Sequence, residues 1–255
     1  MSAEMLKVSG LQMRFGGLLA VDGIEFDVRR DEVFAIIGPN GAGKTTVFNC
    51  VGGFYKPTAG EIMLDGHSIA RLPSHKVARR GLVRTFQNIR LFKQLTVVEN
   101  LMVAQHLQVK AGLLHGLLAT PAYRHAERAA LGRAAEWLER MGLTSVANRE
   151  AGTLSYGHQR RLEIARCMIT KPRLLMLDEP AAGLNPQEKI ELQQLIDKLR
   201  REFNISVLLI EHDMSLVMGV SDRILVMEHG KPIMVGKPEE VRNDPRVIKA
   251  YLGED

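Results

Sequence analysis

Cysteines, aromatic residues and long apolar runs are all scarce in this chain of 255 residues. Its two cysteines, Cys50 and Cys167, exclude a disulfide-stabilised small protein, and both lie in helical apolar patterns typical of a core in a reducing compartment. The apolar runs, such as residues 33–37, are far shorter than the roughly 18 residues of a membrane span. The N-terminus lacks a basic start followed by an apolar stretch, so it does not resemble a secretory signal. We therefore expect a soluble intracellular globular protein.

Charge is nearly balanced, with 34 Lys and Arg residues against 29 Asp and Glu residues and a net charge of +5. This excess permits an acidic partner or a membrane surface, but it is far below that of a dedicated nucleic-acid arm. The basic stretches at 79–80, 124–140 and 160–161 admit a nucleic-acid interpretation. Acidic residues such as Glu127 and Glu136 lie among them. This mixture favours a solvated helix face, and we expect no nucleic-acid partner.

The spacing of apolar residues predicts an α/β fold. Over the first 30 residues apolar and polar positions alternate between glycines, which predicts short antiparallel strands. Continuous apolar runs at 33–37, 174–177, 207–210 and 224–227 are typical of strands buried on both faces. Helical periodicity lies between two of these runs, so strand, helix and strand alternate as in a mostly parallel sheet.

The middle of the chain has a different pattern, because residues 97–166 are almost wholly helical in periodicity. One side of a helix there is predicted to carry Ala126, Ala130, Leu131, Ala134, Leu138 and Met141. We interpret this region as a helical lobe inserted into the α/β core. The chain is then a single domain, with a core and β subdomain at 1–87 and 167–235, a helical subdomain at 88–166 and a helical tail at 236–255.

A glycine-rich motif follows the first buried strand and opens a helix predicted to run from Gly43 to about residue 51. It fits G-x4-G-K-[ST], in which backbone N–H groups and a helix N-terminus cradle phosphates. We expect Lys44 to reach the β- and γ-phosphates and Thr45 to bind Mg²⁺, within a P-loop NTPase (RecA-like) core. The residues predicted to bind ATP here are Gly38, Pro39, Asn40, Gly41, Ala42, Gly43, Lys44, Thr45 and Thr46.

Two acids end the apolar run at 174–177, where ligands bind in open α/β sheets. Asp178 fits the carboxylate that faces Mg²⁺ in P-loop ATPases, and Glu179 is placed to polarise an attacking water. The chain has no Asn/Thr-Lys-x-Asp motif, which disfavours guanine recognition. We therefore expect ATP and Mg²⁺ as the cofactors, with Glu179 as the general base.

Residues 154–161, Leu-Ser-Tyr-Gly-His-Gln-Arg-Arg, resemble the signature motif of ATP-binding-cassette (ABC) ATPases. Other motifs follow the order of that family from residue 6 to residue 255. Gln87 resembles the Q-loop glutamine, His212 the switch histidine, and Asn185 stands at the D-loop position. Phe15 stands where the family stacks an aromatic ring on adenine.

The resemblance implies roles for these residues. Gln87 would contact ATP and Mg²⁺, and His212 would act in catalysis beside Lys44 and Glu179. The signature would act on the ATP of a partner chain, through Ser155, Tyr156, Gly157, His158 and Gln159. Two of these depart from the usual Leu-Ser-Gly-Gly-Gln, because tyrosine replaces the first glycine and histidine the glutamine. Asn185 stands where the family often has aspartate.

Several segments resemble more closely the larger ATPase subunits of bacterial branched-chain amino-acid importers: 84–92, 181–186, 209–214, 251–254 and the insert at 113–121. The resemblance implies a second ABC ATPase subunit as partner, in a heterodimer or alternatively a homodimer. It also implies two membrane permease subunits and, indirectly, a periplasmic binding protein. The chain would then lie peripherally at the cytoplasmic face of the inner membrane.

Two alternatives remain open. One is an ATPase for lipid or lipopolysaccharide export, whose cassette is similar in length and ending. The other is a soluble ABC ATPase acting on DNA or ribosomes. Only 110 residues separate Thr45 from Ser155, which leaves no room for the long coiled coil of DNA-repair relatives. The chain also has one phosphate motif and one signature, whereas translation relatives have two of each.

Overall fold

In the computed structural model, residues 4–105 and 121–252 are described, and the chain divides into two compact units. Unit 1 comprises Met1–Arg84 and Arg173–Asp255, and unit 2 comprises Thr85–Pro172. Most of the insert predicted to resemble the importer ATPases, residues 113–120, lies outside the described residues.

A six-stranded sheet forms the centre of unit 1, in the order β10-β9-β3-β8-β7-β6. Its strands are β3 (Val33–Ile37), β6 (Leu82–Arg84), β7 (Leu174–Asp178), β8 (Ser206–Ile210), β9 (Arg223–Glu228) and β10 (Lys231–Gly236). All neighbours pair in parallel except β10, which pairs antiparallel with β9. Every residue of β3, β7 and β8 is buried, which confirms the expectation for continuous apolar runs.

A second, antiparallel sheet has the order β2-β1-β4-β5. Its strands are β1 (Glu4–Phe15), β2 (Leu18–Arg29), β4 (Ala59–Leu64) and β5 (His67–Ser68). The prediction of short strands was wrong, because β1 and β2 each have 12 residues. Gly10 and Gly23 adopt positive φ at shifts in the register, so they form bulges that bend the strands and do not end them.

The helices of unit 1 pack around this core. They are α1 (Lys44–Val51), α2 (Ser74–Arg79), α6 (Pro186–Phe203), α7 (Met214–Val220), α8 (Pro238–Asn243) and α9 (Pro245–Leu252). Buried apolar residues from both sheets and from α1 form one core cluster. The stacked rings of Phe26 and Phe34, 5.3 Å apart, join β2 to β3 within it.

Unit 2 contains α3 (Val97–Ala104), α4 (Pro121–Arg140) and α5 (Tyr156–Met168), with short 3₁₀ turns at Thr144–Val146 and Ala151–Thr153. On α4 the buried side is formed by Ala130, Ala134, Trp137 and Leu138. The prediction for Leu131 was wrong, because its side chain is 49% exposed. On a helical wheel it lies about 20° from Leu138, so its periodicity matches the buried side although its side chain is exposed. No helix of the described residues is both long and apolar enough to cross a membrane.

Arg223 of β9 links three parts of unit 1. It donates hydrogen bonds to both carboxylate oxygens of Asp27 in β2, each at 3.0 Å, and to Glu32 at 3.3 Å. Its guanidinium also lies over the Phe34 ring, 5.3 Å from the centroid. Arg223 lowers the pKa of Asp27, whereas burial raises the pKa of Glu32.

We predict that Arg223→Met lowers the free energy of unfolding by about 1–3 kcal/mol at pH 7, because the buried Glu32 carboxylate loses the guanidinium and keeps only the N–H of Arg29 as a hydrogen-bond donor. The pKa of Asp27 is held below its ordinary 3.8, so that part of the loss is present above pH 3.8 and disappears as the pH falls through the folded value. Urea unfolding at several pH values measures both effects.

Arg246→Met is the matched control, because Arg246 also pairs with a carboxylate, that of Asp244 at 2.8 Å, but on the surface. Its unfolding midpoint should stay close to that of the parent chain. An equal loss in the two variants would contradict the role assigned to Arg223.

Candidate functional site

The loop between β3 and α1 can form only with glycine at its ends. Gly38, Gly41 and Gly43 have φ of 151°, 83° and 95°. A Cβ atom at Gly38 would lie 2.0 Å from the carbonyl oxygen of Met227, and one at Gly43 would lie 2.7 Å from that of Ala20. The loop therefore lies directly against backbone, and it delivers the chain to the N-terminus of α1.

A cavity of about 420 Å³ opens above this loop, and unit 1 alone supplies its lining. The lining consists of Leu18, Leu19, Ala20, Asn40, Gly41, Ala42, Gly43, Lys44, Thr45, Thr46, Glu179, His229 and Gly230. Seven residues predicted to bind ATP, 40–46, thus share one cavity with the predicted base. His229 and Gly230 were not foreseen, because they come from the distant turn between β9 and β10.

Lys44 is held inside its own loop. Its Nζ donates hydrogen bonds to the carbonyl oxygens of Gly38 at 2.6 Å and Pro39 at 2.9 Å, and the residue is only 8% exposed. Burial lowers the pKa of Lys44, and the Glu179 carboxylate acts in the opposite direction. The cavity therefore presents a desolvated cation and the unpaired N–H groups of a helix N-terminus, which together favour an anion.

Phe15 ends β1 and lies outside the cavity lining. Its ring is 41% exposed and meets Tyr55 edge to face, with centroids 5.4 Å apart. The stacking of Phe15 on adenine stays a prediction.

Asp178 is buried at the end of β7, and its Oδ2 accepts a hydrogen bond from Arg84 Nη2 at 2.6 Å. Arg84 also donates to Asn49 Oδ1 at 2.7 Å and lies over the Phe54 ring at 5.0 Å. The sequence pattern did not indicate this pairing. Arg84 thus orients the carboxylate predicted to face the metal.

Asp178 and Thr45 offer the hard oxygen donors that Mg²⁺ requires, and this ion is usually held by one or two carboxylates together with phosphate oxygens. Thr45 lines the cavity directly. Among residues 4–105 and 121–252, no cluster of three or more His, Cys, Asp or Glu side chains would hold a metal unaided. The residues therefore fit an ion that arrives with a nucleotide.

Glu179 and His212 face each other, with Oε2 and Nδ1 3.8 Å apart. Glu179 has a positive φ of 45°, a conformation uncommon outside glycine. Glu211, fully buried, accepts hydrogen bonds from the N–H groups of Ala181 at 2.7 Å, His212 at 2.9 Å and Asp213 at 3.1 Å. It holds the backbone of both loops, and the sequence analysis missed it.

Asn185 is the N-cap of α6. Its side chain accepts from the N–H of Glu188 at 2.9 Å, and the Glu188 carboxylate accepts from the N–H of Asn185. This reciprocal pair satisfies two N–H groups at the helix start. The D-loop role of Asn185 stays a prediction.

The signature residues and Gln87 belong to unit 2. Ser155 is the N-cap of α5, and its Oγ accepts from the N–H of His158 at 3.4 Å. Gln159 Nε2 donates to the Leu154 carbonyl at 2.9 Å. Gly157 lies in the first turn of α5, Tyr156 is 40% exposed, and Gln87 is exposed.

A family model described as ABC transporter matches residues 21–182, from β2 to the loop after β7. The chain belongs to the ABC transporter family. A second model, described as branched-chain amino acid ATP-binding cassette transporter, matches residues 231–255 of this ABC ATPase.

Curated relatives of the ABC ATPase match it along its whole length. The high-affinity branched-chain amino acid transport ATP-binding protein BraF of Pseudomonas aeruginosa is 63% identical over 254 residues, covering 100% of both chains. LivG of Escherichia coli, described in the same words, is 60% identical with the same coverage. The lipopolysaccharide export system ATP-binding protein LptB of Haemophilus influenzae is 34% identical, covering 98% of each chain.

Solved structures confirm the predicted P-loop fold. The ADP conformation of MJ1267, an ATP-binding cassette of an ABC transporter, is 31% identical with a TM-score of 0.86, covering 99% of this chain and 100% of that one. The cassette MJ0796, solved as a dimer in a post-hydrolysis state with ADP and Pi, is 25% identical with a TM-score of 0.77. It covers 92% of this chain and 99% of its own.

We predict that Gly38→Ala abolishes ATP binding and lowers the melting temperature, because its Cβ would meet the Met227 carbonyl at 2.0 Å. Gly132→Ala is the control: Gly132 lies in α4 with nothing within 4 Å of its Cβ position. This control should gain about 0.5–1 kcal/mol, because alanine favours a helix interior. Titration with ATP and thermal unfolding test both; unchanged binding in Gly38→Ala would contradict the cradle.

Proposed function

We propose that this ABC ATPase binds and hydrolyses ATP to power an importer of branched-chain amino acids. The observation that carries the proposal is identity of 60–63% along the whole chain with BraF and LivG. The match of residues 231–255 to the branched-chain amino acid cassette model supports the same transport class. The phosphate cavity supports the ATPase activity itself.

ATP would bind with its phosphates in the cavity. Lys44 Nζ donates hydrogen bonds to the carbonyl oxygens of Gly38 at 2.6 Å and Pro39 at 2.9 Å. On ATP binding it would donate to the β- and γ-phosphates instead, because these anions are stronger acceptors. The first N–H groups of α1 would receive the remaining charge. Phe15 would stack on the adenine, and the eight other motif residues predicted for ATP, 38–43, 45 and 46, would surround the phosphates.

Thr45, Asp178 and Gln87 would hold Mg²⁺, which when bound neutralises charge on the β- and γ-phosphates. Asp178 is buried and oriented by Arg84, so it would act from a fixed position. Glu179 lines the cavity and would accept the proton of the attacking water. His212, 3.8 Å from Glu179, would orient that water or the γ-phosphate.

The site would be completed by a second ABC ATPase subunit. Ser155, Tyr156, Gly157, His158 and Gln159 lie at the start of α5 in unit 2, and we propose that they close over ATP held by that partner. Asn185 would contact the partner as the D-loop residue. Since hydrolysis then requires closure, ATP consumption is tied to a change in conformation.

We propose a heterodimer with a different ATPase chain, and a homodimer is the alternative. Two membrane permease subunits and, indirectly, a periplasmic binding protein would complete the assembly at the cytoplasmic face of the inner membrane. These partners agree with the description of BraF and LivG as transport ATP-binding proteins.

Lipopolysaccharide export is the weaker candidate, because LptB is 34% identical whereas BraF and LivG are 60–63% identical over the same length. An ATPase acting on DNA or ribosomes is disfavoured by the same comparison. Uptake of radiolabelled leucine, isoleucine and valine by cells with and without this chain separates import from the other functions. Unchanged uptake would contradict the proposed substrate class.

We predict that Glu179→Gln lowers the rate of ATP hydrolysis by roughly 10²–10⁴, because water loses its proton acceptor. ATP affinity should persist, since Lys44 and the loop are intact, and ATP should trap a dimer. Steady-state hydrolysis, ATP titration and size-exclusion chromatography measure the three properties.

Glu239→Gln is the control, because Glu239 is an exposed acid on α8. It should hydrolyse ATP at the parent rate. A Glu179→Gln chain that also hydrolyses ATP at that rate would show that Glu179 is not the base.

A further inference from the structure

Arg160 is a buried arginine on the signature helix α5, only 1% exposed. Its Nη1 donates to the Phe86 carbonyl at 2.9 Å and to Glu163 Oε2 at 2.7 Å. Its Nη2 donates to the Gln87 carbonyl at 3.2 Å. The guanidinium therefore binds the backbone of the Q-loop itself, in addition to a carboxylate on its own helix.

Glu163 binds the same segment as a hydrogen-bond acceptor, whereas Arg160 is a donor. Its Oε1 accepts from the N–H groups of Phe86 at 3.3 Å and Arg90 at 3.2 Å, while Oε2 pairs with Arg160. Glu163 is 4% exposed. Together the two side chains make four hydrogen bonds to the backbone of residues 86–90, which we call the Q-loop segment.

Two arginines extend this contact. Arg166 of α5 donates to the carbonyl of Arg90 and lies over the Phe92 ring, 5.1 Å from its centroid. Arg90 in turn lies over the Phe86 ring at 4.2 Å. The signature helix and the Q-loop segment are thus bound along more than one helical turn.

The tyrosine that departs from the usual signature joins the same cluster. Tyr156 Oη accepts from Arg160 Nη2 at 3.1 Å, and Arg160 lies 5.7 Å from its ring centroid. Glycine at this position would offer no such acceptor. Ser155, the preceding residue, is the N-cap of the helix that carries Arg160 and Glu163.

We propose that Arg160 and Glu163 are positioning residues that fasten the Q-loop segment to the signature helix α5. A displacement of the Q-loop segment then moves α5, and with it Ser155 at the start of the helix. The inference rests on the proposed function, because Ser155 acts there on the partner's ATP. Neither residue lines the phosphate cavity. They transmit movement between the Q-loop and the signature through a rigid helix.

A buried ion pair is a costly means of packing, because two apolar side chains of similar volume often stabilise such a site equally well. The hydrogen bonds from Arg160 and Glu163 to the backbone of the Q-loop segment, however, cannot be made by apolar side chains. Replacing both residues by apolar ones therefore separates packing from attachment: the fold is retained while the attachment to the Q-loop segment is lost.

The test uses the Arg160→Met/Glu163→Met double variant in the assembled transporter, with Arg128→Met, an exposed arginine on α4, as control. We expect a melting temperature and a KM for ATP close to those of the parent. The amount of amino acid transported per ATP hydrolysed should fall by roughly two- to thirtyfold, the range that mutations along coupling networks produce. The Arg160→Lys variant should keep part of this coupling, because lysine still places a hydrogen-bond donor in the buried site.

The proposal is overturned if the double variant transports as much amino acid per ATP hydrolysed as the parent. It is also overturned if the loss of ATP affinity is as large as the loss of this coupling. If the double variant does not fold, Arg160→Lys and Glu163→Gln decide: reduced coupling with unchanged KM for ATP in either variant supports the proposal, and the coupling of the parent in both overturns it. Uptake of radiolabelled leucine, isoleucine and valine by the parent transporter is assayed in parallel. If the parent shows no ATP-dependent uptake, the proposed function fails instead.

Discussion

The site depends on one electrostatic constraint, which is the burial of the Lys44 ammonium group within its own loop. Lys44 is almost fully desolvated, and two carbonyl oxygens of its own loop are the acceptors for its ammonium group. Neutral carbonyls are weaker partners than phosphates, so the loop remains folded yet keeps a strong preference for an anion. The glycines follow from this, because only a loop lying against backbone brings those carbonyls to Nζ.

The charged groups around the cavity obey the same rule that a buried charge is paired or hydrogen-bonded. Asp178 is held by Arg84, and Glu211 by three backbone N–H groups. In unit 2, Arg160 and Glu163 satisfy each other and the Q-loop backbone. These groups fix the positions of the residues that we propose to act on ATP, so those side chains would need little rearrangement at the moment of reaction.

Local sequence patterns were sufficient for the phosphate loop and for β3, β7 and β8, because backbone conformation and burial there follow from adjacent residues. The acids that end β7 were found for the same reason. Arg84, Glu211 and Glu163 were missed as positioning groups, since each is defined by contacts with residues distant in the sequence. Glycines in β1 and β2 were interpreted as strand breaks, because a bulge depends on pairing that one strand alone does not reveal. Leu131 matches the periodicity of the buried side of α4 but is exposed, because burial depends on what packs against each turn of the helix and not on periodicity alone.

The most direct test of the role of the buried Lys44 is calorimetric titration of the chain with ATP, ADP and AMP in the presence of Mg²⁺. Binding through Lys44 and the helix N-terminus requires the β-phosphate, so ATP and ADP should bind at least about tenfold more tightly than AMP. AMP binding as tight as that of ATP would show that the base and ribose, and not the phosphate loop, supply the affinity. That result would contradict the account.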